Sequence, residues 1–288
     1  MTQMKGGRIL ENKYVYREHL RKPSKFFLLV ASMIIVPYFI IALEMTLTVN
    51  LRDTIGAGVI FFFVGIVLVI IIGIEFLLIY LIMYRRFKKI YVILTEEGII
   101  YNNAKGEIRI PYESITSIKF ASVKYTGGWV KIIHNNGKIR LTVVLEDIGE
   151  MVKNLKDKID ERNITNIYKD KSIFNFIKTA KYTDHSWERV YEHLKKFVVA
   201  VLVNLGVGAI AVAFSDEIFP KFFIPMLAIV GPLLTFVVTE IIFAIKLSRG
   251  VSKEKFYIPG RDKEFEAKIY KLLFGIYFII FFIIMIIV

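Results

Sequence analysis

Cysteine is absent from the 288 residues, which excludes a disulfide framework, a thiolate metal centre and a cysteine nucleophile. Histidine is scarce, with four copies, so imidazole-based metal or acid–base chemistry has few places to reside. No H-E-x-x-H, G-x-S-x-G or G-x-x-x-x-G-K-[ST] pattern occurs, which removes the common metalloprotease, serine-hydrolase and P-loop signatures. Gly127-Gly128 follows a strand turn and opens no helix, so it cannot form a phosphate cradle. What the chain has in excess is apolar: 55% of its residues are hydrophobic and its mean hydropathy is +0.54. Soluble domains average about 45–50% apolar residues. A wholly water-soluble, collagen-like or disordered chain is therefore excluded.

The excess is concentrated in five runs. A hydrocarbon core of ~30 Å takes about 20 apolar helical residues at 1.5 Å each. Phe26–Leu43, Ala57–Tyr84, Phe197–Phe214, Phe222–Ile245 and Ile269–Val288 meet that length. The first run reads as a span and not as a cleaved signal, because about 25 polar and basic residues precede it and no A-x-A step follows. Pro37, Pro225 and Pro232 sit where they can kink their helices.

Basic residues set the orientation. Residues 1–25 hold 7 Lys and Arg, residues 85–196 hold 22 and residues 246–268 hold 7, together 36 of the 39. The other connections carry Glu44, Asp53, Asp216 and Glu217 against Arg52 and Lys221. The expected topology places the N terminus in the cytoplasm and the C terminus outside, in a multi-pass protein of the cell membrane. The net charge of +13 then belongs beside anionic lipid head groups, where each basic residue is worth about 1 kcal/mol, and no nucleic-acid partner is needed to explain it.

Between the second and third runs the pattern changes to short strands. Ile90–Leu94, Ile99–Tyr101, Ile108–Ile110, Ile115–Val123, Trp129–His134 and Lys138–Val144 alternate apolar with polar residues and are separated by turn residues. The last two flank Asn135-Asn136-Gly137, whose Asn-Gly step suits a tight hairpin. Glu146 to Arg162 then places Ile148, Met151, Val152, Leu155 and Ile159 on one helical face. The expectation is a small closed barrel capped by its C-terminal helix.

The stretches Leu94-Thr95-Glu96-Glu97-Gly98-Ile99 and Ile110-Pro111-Tyr112-Glu113-Ser114-Ile115-Thr116-Ser117-Ile118, with that strand order and final helix, resemble the bacterial pleckstrin-homology-like (PH-like) domains of multi-span membrane proteins. The resemblance covers about 75 residues and its motifs are structural. It implies a cytoplasmic binding or scaffolding module. It brings no phosphoinositide site with it, because no dense Lys/Arg cluster lies in the first hairpin.

The expected organisation is thus a basic N-terminal segment (1–25), spans one and two (26–84), the PH-like β-barrel (88–163), a juxtamembrane connector (164–196) and spans three to five (197–288). In the connector, Ile173, Phe174, Phe176 and Ile177 among lysines either lie in the headgroup layer or dock on the barrel, and Asp184 can cap a following helix. The function read from this is non-enzymatic: an interaction or scaffolding module, regulatory or envelope-related, that binds an unknown protein partner. Tyr125 and Trp129 are its candidate contact residues. The alternative is a transporter or channel using the intramembrane acids Glu75 and Glu240, with Asn204 as a further polar candidate. His185, Glu188 and Glu192 share a helical face and are the one set with metal-ligand types, while His193 points away; a solvated, interfacial helix face is the favoured reading of them, and no cofactor or metal is expected.

Overall fold

The computed structural model describes residues 13–48, 51–103, 105–123, 127–164, 166–213, 218–253 and 257–287. Tyr125, Asp216 and Glu217 lie outside the described residues. The chain divides into two compact units. One comprises the described part of the N-terminal segment up to Pro23 together with Tyr80–Glu188 and Leu247–Pro259; the other comprises Ser24–Ile79, Arg189–Lys246 and Gly260–Val288.

The first unit is built on strands. All six expected strands form: β2 (Tyr91–Leu94), β3 (Gly98–Asn103), β4 (Gly106–Pro111), β5 (Ile115–Val123), β6 (Gly127–His134) and β7 (Gly137–Thr142). A seventh, β1 (Lys13–Val15), comes from the N-terminal segment and pairs antiparallel with β2. The strands do not close into a barrel. They form two antiparallel sheets, β1-β2-β3-β4 and β5-β6-β7.

The break has a local cause. Pro111 ends β4 without an N–H to offer, and a 3₁₀ turn at Tyr112–Ser114 follows it. The free edge of β5 is then taken by the connector, whose Ile167 carbonyl accepts from the Ile118 N–H at 2.6 Å. The N-terminal segment joins the two sheets, because Glu146 N–H donates to the Val15 carbonyl at 2.9 Å and Tyr16 bridges to Leu145.

Both sheets contribute to one core. Val92, Ile99, Ile110, Val130, Ile132 and Leu141 are buried in it with Ile148, Met151, Val152, Leu155 and Ile159 of α3 (Ile148–Glu161). Ile173, Phe176, Ile177 and Ala180 fill the same core, so the connector's aromatic face docks on the β unit. Asp184 caps nothing. One helix, α4, runs unbroken over Asp170–Ala213, and Asp184 lies inside it, buried and ion-paired with Arg17.

Close packing within the first sheet makes a specific demand at Gly98. A Cβ there would stand 2.2 Å from the Ile110 carbonyl oxygen, a backbone atom that cannot step aside. Gly98→Ala is expected to cost about 1–3 kcal/mol, the range of overpacking, measured by urea unfolding followed through tryptophan fluorescence. An unchanged midpoint would contradict the β3–β4 register.

The second unit is helical. It contains α1 (Pro23–Thr48) from Ser24 onward, α2 (Leu51–Ile79), the remainder of α4 from Arg189, most of α5 (Ile218–Gly250) and α6 (Lys263–Ile287). Among the described residues, five helices are long and apolar enough to cross a membrane. Val201, Leu205, Ile224, Ala228, Tyr277 and Phe281 form the unit's core. Small residues set the spacing there. The space for a Cβ at Gly231 is occupied by the Tyr277 ring and that at Gly208 by Ile224, which is how glycine lets helices approach. Pro37, Pro225 and Pro232 all lie inside continuous helices.

Candidate functional site

Among the described residues of the helical unit, a ladder of alternating charges stands out. Arg189 Nε and Nη2 donate to the two oxygens of Glu240, each at 2.7 Å. Its Nη1 donates to Glu266 Oε1 at 2.9 Å. Arg261 Nη2 donates to Glu266 Oε2 at 2.6 Å and to Glu192 Oε2 at 2.8 Å, while its Nη1 reaches Glu192 Oε1 at 3.0 Å. Lys263 adds a 3.4 Å contact to Glu192. From one end to the other, the side chains are 13% exposed at Glu240, 2% at Arg189, 8% at Glu266, 6% at Arg261, 41% at Glu192 and 72% at Lys263, so the Lys263 end is the open one.

Three cations meet three anions, so the ladder is electrically closed. It ties α4, α5 and the start of α6 together. Two planar guanidinium forks satisfy three carboxylates, a geometry lysine cannot reproduce. The apolar rim is supplied by Phe243, whose ring lies 4.8 Å from the Arg189 guanidinium carbon.

The expected site residues separate on this framework. Glu240 is locked by Arg189. Glu75 lies on an exposed face of α2, so the two acids share no contact. Asn204 is buried and donates to the Tyr277 hydroxyl at 2.9 Å. The metal-type trio is not assembled: His185 is buried, Glu188 is exposed, and both oxygens of Glu192 are engaged by Arg261. Among the described residues no group of three His, Cys, Asp or Glu side chains is placed to hold a metal ion. His193 packs its ring 4.8 Å from that of Tyr270.

Trp129 is half-buried on β6, and its surroundings are informative. In the β5-β6-β7 sheet Ala121 pairs with Trp129 and Trp129 with Thr142. One step along, Lys119 pairs with Lys131 and Lys131 with Arg140; another step brings Ile133 against Lys138. Val130, Ile132 and His134 are the buried side of β6, so all of these residues stand on the opposite, outer face. That face carries Lys119, Lys131, Lys138 and Arg140 around the indole, with Arg140 stacked 4.6 Å over it, and no acidic residue at any paired position.

Neither grouping is visible along the chain. Arg189 and Glu240 are 51 residues apart, Arg189 and Glu266 77. The cationic face has a faint trace in Lys138-Ile139-Arg140, where alternate residues are basic, but only strand pairing adds Lys119 and Lys131. Compared with protein-family models, with curated proteins and with solved structures, the chain matches none.

Proposed function

We propose that this is a multi-pass integral membrane protein whose β unit is a cytoplasmic, PH-like and non-enzymatic interaction module. We further assign its binding surface to the outer face of β5-β6-β7, where it takes an acidic segment of a protein partner. The membrane reading is supported by the five long apolar helices and by the exposure of residues such as Ile60, Phe62, Phe63, Val67 and Ile70, a surface that water does not tolerate at this extent. The cytoplasmic side is supported by the 36 of 39 basic residues that fall in residues 1–25, 85–196 and 246–268, the segments that alternating spans put on one side.

The observation that carries the binding surface is the cross-strand row Lys119–Lys131–Arg140. Like charges directly opposite each other destabilise a sheet by roughly 0.2–1 kcal/mol per pair. Folding has no use for such a row, whereas an anionic partner turns the repulsion into attraction. Trp and Arg are also the residue types that dominate interface energetics. A relay through Glu75 and Glu240 has no comparable support, since one acid is clamped and the other lies apart.

The test is photocrosslinking in native membranes, with a photoreactive residue in place of Lys138. Wild-type background is expected to give a discrete protein adduct that high salt weakens. Lys119→Glu with Lys131→Glu is expected to reduce it by roughly tenfold or more, in line with the several kcal/mol that like-charge juxtaposition costs at an interface. Lys131→Thr should weaken the adduct while raising the β unit's stability by up to about 1 kcal/mol. An adduct indifferent to charge reversal, or one formed solely with lipid, would remove the acidic-protein assignment.

A further inference from the structure

A groove of about 370 Å³ opens between α4 and α6 and is lined by Lys195, Lys196, Val199, Ala200, Val203 and Phe278. Its long dimension follows from the helix. Lys195–Val199–Val203 and Lys196–Ala200–Asn204 are adjacent rows at four-residue spacing, so the groove descends roughly 13 Å from the lysine pair at 1.5 Å per residue. Asn204 lies at its floor, but its amide is committed to the Tyr277 hydroxyl, which donates onward to the Leu227 carbonyl at 3.4 Å. The floor therefore makes no polar demand on a ligand. The mouth does: Lys195 and Lys196 line it, both are exposed and carry their charge at that end, and among the described residues neither has an ion-pair partner. The neighbouring acid, Glu192, is held by Arg261 and Lys263.

A cationic mouth above an apolar slot calls for an amphiphile with an anionic head. We propose that this groove holds one acyl chain of an anionic bilayer phospholipid, with Lys195 and Lys196 on its headgroup phosphate. The inference rests on the reading that these helices cross a bilayer, and the experiment separates the two. Basic pockets between spanning helices on the cytoplasmic side are where such head groups are held.

The full chain is reconstituted into nanodiscs containing, at equal mole fraction, phosphatidylglycerol or phosphatidylcholine with a photoreactive acyl chain, and labelled peptides are mapped by mass spectrometry. Both probes should label the exposed residues 60–79 of α2 alike, because that surface meets bulk lipid. At residues 199–203 and at Phe278 the phosphatidylglycerol probe should exceed the phosphatidylcholine probe by roughly tenfold or more, each lysine contributing about fivefold. Lys195→Gln with Lys196→Gln should bring groove labelling down to the phosphatidylcholine level, and Val203→Trp should abolish it for both. Should these variants fail to reconstitute, unlabelled phosphatidylglycerol titrated into the wild-type sample should saturate the groove signal while merely diluting that on α2. Equal labelling of the groove by both probes, or competition identical at groove and α2, overturns the lipid site. Absence of labelling on α2 overturns the membrane reading instead.

Discussion

Replacing Arg189 with leucine is expected to cost about 3–5 kcal/mol of stability, the penalty for removing one member of a buried ion pair. The guanidinium donates to both oxygens of Glu240 and to Glu266. Glu266 keeps its bonds to Arg261, so the loss falls mainly on Glu240, which gives up a two-bond fork. Lysine at position 189 should rescue little, because a point charge cannot serve two carboxylates in fixed directions. Arg189→Leu combined with Glu240→Leu should recover much of the loss, since removing both partners leaves no buried charge exposed to its own field. At the far end, Lys263→Ala should cost less than about 1 kcal/mol, as its ion pair is exposed. Thermal unfolding in detergent micelles, followed by helix circular dichroism, measures all four. If Lys263→Ala were as damaging as Arg189→Leu, the graded burial of the ladder would be wrong.

That ladder also marks the limit of what the chain's linear order discloses. Runs such as Val59–Ile74 announce themselves because a helix that is apolar all round is a local property, and no distant contact is needed to recognise it. The six strands of the β unit are equally local, since alternation with turn residues between is a short-range signal. β1 is not: Lys13-Tyr14-Val15 is too short to carry a pattern, and it becomes a strand only because β2 offers it an edge. Barrel closure is legible in part: Pro111 is a local signal that β4 stops, but what then takes the edge of β5, the Ile167 carbonyl, is decided by distant contacts. Asp184 looked like a cap because it precedes an apolar run. The tertiary contact with Arg17 decides otherwise, by letting a buried aspartate sit within a continuous helix. Charges are the least legible of all. Arg189, Arg261 and Glu266 each read as ordinary juxtamembrane residues, and their role exists only where α4, α5 and α6 converge.

Arg17→Leu is expected to destabilise the β unit by a similar margin, about 3–5 kcal/mol. Arg17 is 2% exposed and Asp184 4%; Nη2 of the guanidinium donates to the Asp184 carboxylate and, at 3.3 Å, to the Val143 carbonyl at the end of the second sheet. One side chain therefore fastens the N-terminal segment both to a helix and to a sheet, and its loss leaves a buried carboxylate. Asp184→Asn should cost a similar amount, because the amide keeps an acceptor for Arg17 but leaves the buried guanidinium, which cannot shed its proton, without a counter-charge. The chain's two tryptophans, Trp129 and Trp187, both belong to this unit, so denaturant unfolding followed by their fluorescence reports on it alone. A second, stability-independent readout is His19, stacked on Trp187 at 4.0 Å. Burial, with the Arg17 charge adding to it, lowers the His19 pKa to about 4. Its contribution to stability is accordingly present above the ordinary histidine value near 6.5 and lost as pH falls toward 4. In Arg17→Leu the repelling cation is gone, so the imidazole resonances in an NMR titration should shift their midpoint upward. An unmoved His19 midpoint together with an unmoved unfolding curve would mean that Arg17 does not sit against Asp184 at all, and the docking of the N-terminal segment on the β unit would fall with it.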